Sequence, residues 1–278
     1  MSIHSDWGAW LPQRIADTEP NGVQLWYLGC NGIALKAADG TTVFVDPYLG
    51  TGDPPRTVRM IPVPFEPTDV HSADAILATH EHVDHVHGPS QAPILAETDG
   101  CFYGPDKSVA VAREEERWPE TYGVHADQLR VIEEGDLIEI GAFTVHVEPA
   151  HDPDAVHPVT YLIEHESGTI FHGGDTKPTD EFVEVGETYD IDIGVLAYGT
   201  EGMILDRDTR EPTRTKWYCN ENELVAAAES LQLERLLPSH WDMWKGLTAD
   251  PTSLHRHVAS FEYPRKLELL EIGDETAL

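Results

Sequence analysis

Basic residues are the first scarcity. The 278 residues hold 18 Lys and Arg against 50 Asp and Glu, a formal net charge of -32, and only 6 of the 18 are lysine. No acidic block accounts for the excess, so it belongs to the whole surface and not to a tail. Such a surface disfavours nucleic acid and other polyanions, although molar salt shortens the screening length to about 3 Å and weakens that argument. No interleaving of aromatic and basic residues suggests an RNA track. Self-repulsion on this scale destabilises a compact state in dilute buffer, which points to the cytoplasm of a halophilic organism.

Cysteine is scarce as well. Cys30, Cys101 and Cys219 are odd in number, far apart and without a C-x-x-C pair. That argues against a disulfide framework and against a thiolate zinc site, and leaves buried free thiols. An apolar run of about eighteen residues is missing, and residues 1–6 lack the basic and apolar regions of a signal peptide. The expectation is a soluble, intracellular chain with no membrane partner. A linker is missing too: no Pro/Gly/Ser-rich or low-complexity stretch divides the chain, and the proline-dense residues 54–67 read as a surface excursion. One domain over residues 1–278 is expected.

Histidine and aspartate are what the chain concentrates. Thr79-His80-Glu81-His82-Val83-Asp84-His85-Val86-His87-Gly88 follows the apolar run 75–78 and has the spacing H-x-H-x-D-H. Imidazoles suit zinc and other borderline divalent ions, while a carboxylate serves as an oxygen ligand or takes a proton from water. Crowding these groups without a metal or a proton to neutralise them is expensive. The run 75–78 reads as a buried strand, and a helix is expected to open from Asp84 onward, with Asp84 near its N-terminus.

The remaining pattern alternates strands and helices. Residues 23–29 and 32–36 read as strands joined by a turn at Cys30-Asn31, with another strand at 41–47. Residues 109–117 have helical composition. Further strands are expected near 128–132, 136–140, 143–147, 160–165, 169–172, 191–197 and 236–238. The clearest helix is 221–231, with Asn220 as its N-cap and Leu224, Val225, Ala228 and Leu231 on one face. The order of elements suggests two half-sheets, roughly 20–125 and 126–260. His151, Asp175 and His240 each follow an inferred strand, and each could enter one cleft.

With these residues in place the chain resembles the metallo-β-lactamase superfamily. Its H-x-H-x-D-H motif is matched by His80 to His85, and Asp46, His151, Asp175 in Gly173-Gly174-Asp175-Thr176, and His240 match the other motifs in order. The resemblance implies an α/β fold, a four-layer αββα sandwich, with two divalent ions. One would be held by His80, His82 and His151, the other by Asp84, His85 and His240, with Asp175 bridging. Asp46 would orient a histidine ligand, and Asp84 would be the catalytic residue that orients and deprotonates water. Two such cations lower the pKa of a shared water and stabilise the oxyanion formed by its attack. His87 is expected at a helix start or rim and His172 in the core or behind the ligands.

A narrower likeness is to L-ascorbate-6-phosphate lactonases, carried by Trp7 to Leu11, Leu25 to Lys36, Ile191 to Gly199 and Pro238 to Trp244. It implies manganese-dependent hydrolysis of a phosphorylated sugar-acid lactone, although His/Asp ligation also accommodates zinc or iron. The family's arginine after Tyr-Gly is absent, and Thr200-Glu201-Gly202-Met203 stands there. Lys177, Arg214 or Lys216, with Tyr198 donating a hydrogen bond, are candidates for the phosphate. Rivals are a phosphodiesterase or nuclease on the same fold and a metal-binding protein without turnover. A homo-oligomer is compatible with the sequence.

Overall fold

The computed structural model describes residues 3–278, so Met1 and Ser2 of the N-terminal segment considered above lie outside it. Two seven-stranded mixed sheets face each other. In the first, Glu275–Ala277, Val23–Gly29, Gly32–Ala37 and Thr42–Val45 run antiparallel in that order, and Ala75–Leu77, Cys101–Gly104 and Leu129–Val131 continue it in parallel. In the second, Lys266–Leu267, Arg235–Ser239, Ile193–Ala197 and Gly168–His172 are parallel, and Val159–His165, Phe143–Pro149 and Leu137–Ile140 complete it antiparallel.

Side-chain alternation builds the layers. Successive strand residues point to opposite faces, so Leu25, Tyr27, Val43, Val45, Ala75 and Leu77 fill the space between the sheets. There they meet Val145, Val147, Tyr161, Ile163, Ile170, Val195 and Leu237. The alternate residues Trp26, Leu28, Phe44, Ile76 and Phe102 face outward and are covered by Leu11 and Ile15 of the helix Trp10–Asp17 and Ile94 and Leu95 of Gly88–Glu97. On the other side Leu162, Phe171, Leu196 and Leu236 lie under Phe182, Leu224, Val225 and Ala228 of the helices Glu181–Thr188 and Glu221–Ser230. Burying both faces explains why these strands read as continuous apolar runs. Each Leu or Phe so buried contributes about 1.5–3 kcal/mol. The result is the helix–sheet–sheet–helix stack expected above.

Three local features differ from the sequence-based expectation. The helix after the histidine motif begins at Gly88, and Asp84 lies in a turn where His85 and Val86 N–H groups bond to His82 O. Pro89 at the start of that helix favours beginning it there. The sheets divide between Val131 and Leu137, since Leu129–Val131 pairs with Cys101–Gly104. The chain end then returns to the first sheet, pairing Glu275–Ala277 with Val23–Gly29. Asn220 caps its helix as expected, its side chain accepting from Asn222 and Glu223 N–H. Among the described residues no helix is long and apolar enough to cross a membrane.

Candidate metal centre

Strand after strand delivers a polar side chain from its carboxyl end to one edge of the sandwich. Val23–Gly29 leads to Cys30, Thr42–Val45 to Asp46, Ala75–Leu77 to the segment 79–85, Phe143–Pro149 to Asp152, Gly168–His172 to Asp175 and Arg235–Ser239 to His240. The carboxyl ends of strands are where open α/β sheets place their chemistry. Cys30, Asp46 and His240 turn with left-handed backbone, φ 60°, 46° and 64°, a conformation that non-glycine residues seldom adopt. Before Asp175 the chain requires glycine: Gly174 has φ 56°, and a Cβ there would stand 2.7 Å from Thr79 Oγ1.

Three compact groups of donors result. In the first, His80 Nε2 lies 2.9 Å from His82 Nδ1, and Asp152 Oδ2 is 3.7 Å from both. In the second, His85 stands beside His80, ring centroids 3.9 Å apart, with its Nε2 3.4 Å from Asp175 Oδ2. In the third, His240 Nε2 lies 3.2 Å from Asp84 Oδ2 and 3.3 Å from Cys30 Sγ. Asp175 joins the last two groups, its Oδ1 being 3.7 Å from His240 Nε2.

Supporting bonds fix these orientations. Asp46 is fully buried and accepts from His85 Nδ1 at 2.8 Å, from Thr79 N at 2.9 Å and from Thr79 Oγ1 at 2.7 Å. A carboxylate only accepts, so His85 must donate through Nδ1. Asn31 donates to Asp175 Oδ1 and is held by Ser239, while Trp244 Nε1 donates to Asp84 Oδ2. Tyr218 stacks on the His240 ring with centroids 4.0 Å apart.

Burial and charge pull the titrating groups apart. Burial pushes the His85 imidazole down, but Asp46 and Asp175 outweigh it and hold it well above the usual histidine range. Burial, with the neighbouring His85, keeps His80 well below that range. Burial raises the Asp175 and Asp84 carboxyls, yet the facing histidines win and hold both low. Burial first, then the charges of Asp84 and Asp175, push the Cys30 thiol up.

The donor set fits cations. His85 Nε2 is buried without a hydrogen-bond partner, Nδ1 being committed to Asp46, and it faces the Asp175 carboxylate at 3.4 Å. A lone pair facing a carboxylate needs a proton or a metal ion between them. His240 Nε2 also faces carboxylates, Asp84 Oδ2 at 3.2 Å and Asp175 Oδ1 at 3.7 Å. These His/Asp groups therefore fit a dinuclear metal site.

The structure sorts the expected residues. His80, His82, Asp84, His85, Asp175 and His240 come together, with Asp46 behind His85. His151 does not join them. Its backbone is tied to Thr176 Oγ1 and Lys177 N and its side chain is exposed, while the next residue, Asp152, turns inward. His87 precedes the helix Gly88–Glu97 and bonds Ser90, and burial pushes its imidazole down to about 4. His172 is buried, with Nε2 against Asn31 O.

The four phosphate candidates are all engaged elsewhere. Lys177 donates to Trp217 O, Arg214 pairs with Glu201, and Lys216 pairs with Glu223 at 2.5 Å. Tyr198 is buried and its hydroxyl meets Glu221 at 2.9 Å and Ser253 at 3.1 Å. Sequence reasoning missed Cys30, Asn31, Asp152 and Trp244. Cys30 and Asn31 follow a strand end and Asp152 follows His151, whereas no local signal marks Trp244.

A two-sheet sandwich carrying paired His/Asp clusters at its strand ends defines a class, and the comparisons identify it. The chain belongs to the beta-lactamase superfamily: the family described as "Beta-lactamase superfamily domain" matches residues 41–241. It is 26% identical over 300 residues to a protein described as probable L-ascorbate-6-phosphate lactonase UlaG from Salmonella gallinarum, covering 91% of this chain and 80% of that one. Among solved structures it resembles Igni18, described as a novel metallo hydrolase from the archaeon Ignicoccus hospitalis, with TM-score 0.67, 18% identity and 91% and 97% of the two chains covered. It also resembles the metallo-beta-lactamase fold protein YhfI from Bacillus subtilis, with TM-score 0.61, 15% identity and 91% and 98% covered. At these identities the solved structures speak for the fold alone.

Proposed function

We propose that the chain is a metal-dependent hydrolase that opens a lactone of a small sugar acid, the whole chain acting as one domain. The observation that carries the reading is Asp175, which shares one compact donor group with His80 and His85 and offers its other oxygen to His240 Nε2 at 3.7 Å. A carboxylate so placed suits a ligand shared between two cation positions. His80, His82 and Asp152 would hold one ion, and Asp84, His85 and His240 the other. When bound, two manganese or zinc ions supply Lewis acidity toward a carbonyl oxygen and lower the pKa of water between them.

The chain's own groups do the remaining work. Asp46 keeps His85 in the tautomer that frees Nε2. Trp244 holds the Asp84 carboxylate in one orientation, from which it can accept a proton from the attacking water. Tyr218, Met243 and Trp244 are buried around His240 and Cys30 and keep that side of the site dry, which strengthens the electrostatic interactions within it.

The choice of lactone follows the 26% identical relatives described as probable L-ascorbate-6-phosphate lactonases. Binding a phosphorylated lactone would require Arg214 or Lys216 to leave its carboxylate partner, so unphosphorylated lactones belong in the same panel. With a net charge of -32, the enzyme is proposed to work in a halophilic cytoplasm, and its assay belongs in molar KCl. The metal-loaded protein is to be tested against phosphorylated and plain sugar lactones, bis-p-nitrophenyl phosphate and short RNA. Turnover of lactones supports the reading. Turnover of phosphodiesters alone replaces it with a phosphodiesterase, and no turnover across the panel favours a binding protein.

A further inference from the structure

The three thiols of this chain differ in their surroundings. Cys101 is half-buried on a strand and Cys219 is buried with Sγ toward Thr176 O, 3.6 Å away. Cys30 alone stands among metal-ligand candidates. Its Sγ is 3.3 Å from His240 Nε2 and 4.0 Å from Asp84 Oδ2, and those two atoms are 3.2 Å apart. All three residues are buried. A tetrahedral ion with bonds of about 2.0 Å to nitrogen or oxygen and about 2.3 Å to sulfur holds its donors roughly 3.3–3.6 Å apart. The triangle of Cys30, Asp84 and His240 is close to that spacing before any ion is considered.

Other observations tie the sulfur to the site. His240 N donates to Cys30 O at 2.6 Å, so the two turns that carry these side chains are bonded back to back. Asp175, whose Oδ1 also approaches His240 Nε2, reaches on its other side the buried and partnerless His85 Nε2. The donors on this side of the site thus include S, N and O atoms converging from four strand ends.

We propose that Cys30 is a thiolate ligand of the cation position formed by Asp84 and His240, and that this sulfur biases that position toward zinc and away from manganese. The inference rests on the metal-centre reading above and adds a ligand and a selectivity to it. On binding, the S–H bond breaks, sulfur keeps the electron pair and donates it to the ion, and the proton leaves to solvent. Thiolate is a soft ligand that selects zinc and related ions, whereas manganese prefers carboxylate, carbonyl and water oxygens. The other position, with His80, His82 and Asp152, contains no sulfur and carries no such bias.

Cobalt(II) substitution tests this without reference to turnover. The protein loaded with two equivalents of cobalt is expected to show a near-ultraviolet thiolate-to-cobalt charge-transfer band in addition to visible ligand-field bands. Cys30→Ser is expected to lose the first and keep the second, and to lose about 10–100-fold in zinc affinity with little change for manganese, at least the loss seen for groups one shell further out. The Cys101→Ser/Cys219→Ser variant, with Cys30 intact, is expected to retain the band, so the assignment stands even if Cys30→Ser folds poorly. Cobalt bound with ligand-field bands but no charge-transfer band overturns the sulfur ligand and leaves the metal-centre reading intact. No cobalt bound at all overturns both.

Discussion

His85 donates Nδ1 to Asp46 at 2.8 Å and keeps Nε2 3.4 Å from Asp175. One imidazole is thus anchored by a fully buried carboxylate on one side and presented on the other. Asp46→Asn keeps the volume and removes the charge that fixes the tautomer. The expected outcome is a 10–100-fold loss of metal affinity, about the usual cost of disturbing such a partner, with the fold retained. Calorimetric titration of the metal-free protein checks it, and unchanged affinity would remove Asp46 from the orienting role.

Tyr198 is a structural residue in this arrangement. Burial pushes its hydroxyl up to about 12, and Glu221 and Ser253 occupy it. Tyr198→Phe is expected to cost about 1 kcal/mol of stability, the worth of a typical hydrogen bond, and to leave KM for the substrate unchanged. A raised KM at unchanged stability would return Tyr198 to substrate binding.

The Asn220 cap gives a stability prediction with a pH sign. Asn220→Ala is expected to destabilise the protein by about 1 kcal/mol in chemical denaturation. Burial raises the Glu223 carboxyl, but its bonds with Lys216 and Asn220 N outweigh that and hold it below the usual glutamate range. A carboxyl lowered on folding stabilises the native state above its unfolded pKa, and that contribution disappears as pH falls through the folded value. Glu223→Gln should therefore be less stable than the parent at neutral pH, with the gap closing on acidification. A gap independent of pH would contradict the assignment.

Salt concentration tests the charge balance. A chain with 50 acidic and 18 basic residues is expected to unfold more readily in 0.1 M than in about 3 M KCl, since the screening length falls from about 10 Å to about 3 Å between those regimes. Thermal melts across that range decide it. Undiminished stability at low salt would defeat the halophilic reading.

Much of the fold was legible because its strands are periodic and bounded by turns. The hairpin around Cys30-Asn31, the strand before His80 and the helix capped by Asn220 follow from local chemistry. The helix start at Gly88 was less legible, because a turn at 82–86 and a helical opening have similar composition. The return of Glu275–Ala277 to the first sheet was not legible at all, since strand pairing across the whole length of a chain leaves no local signal.

By itself the sequence determined the chemistry on offer: imidazoles and carboxylates at fixed spacing, placed after apolar strands, on an acidic surface. The order of those motifs was enough to indicate the family. Only the tertiary structure decided which neighbours converge. It turns Asp152 inward beside His80 and His82 and leaves His151 in solvent, because bonds of His151 N to Thr176 Oγ1 and of Lys177 N to His151 O fix the backbone there. It also brings the sulfur of Cys30 within 3.3 Å of His240, across 210 residues of chain, because two strands of different sheets end at the same edge.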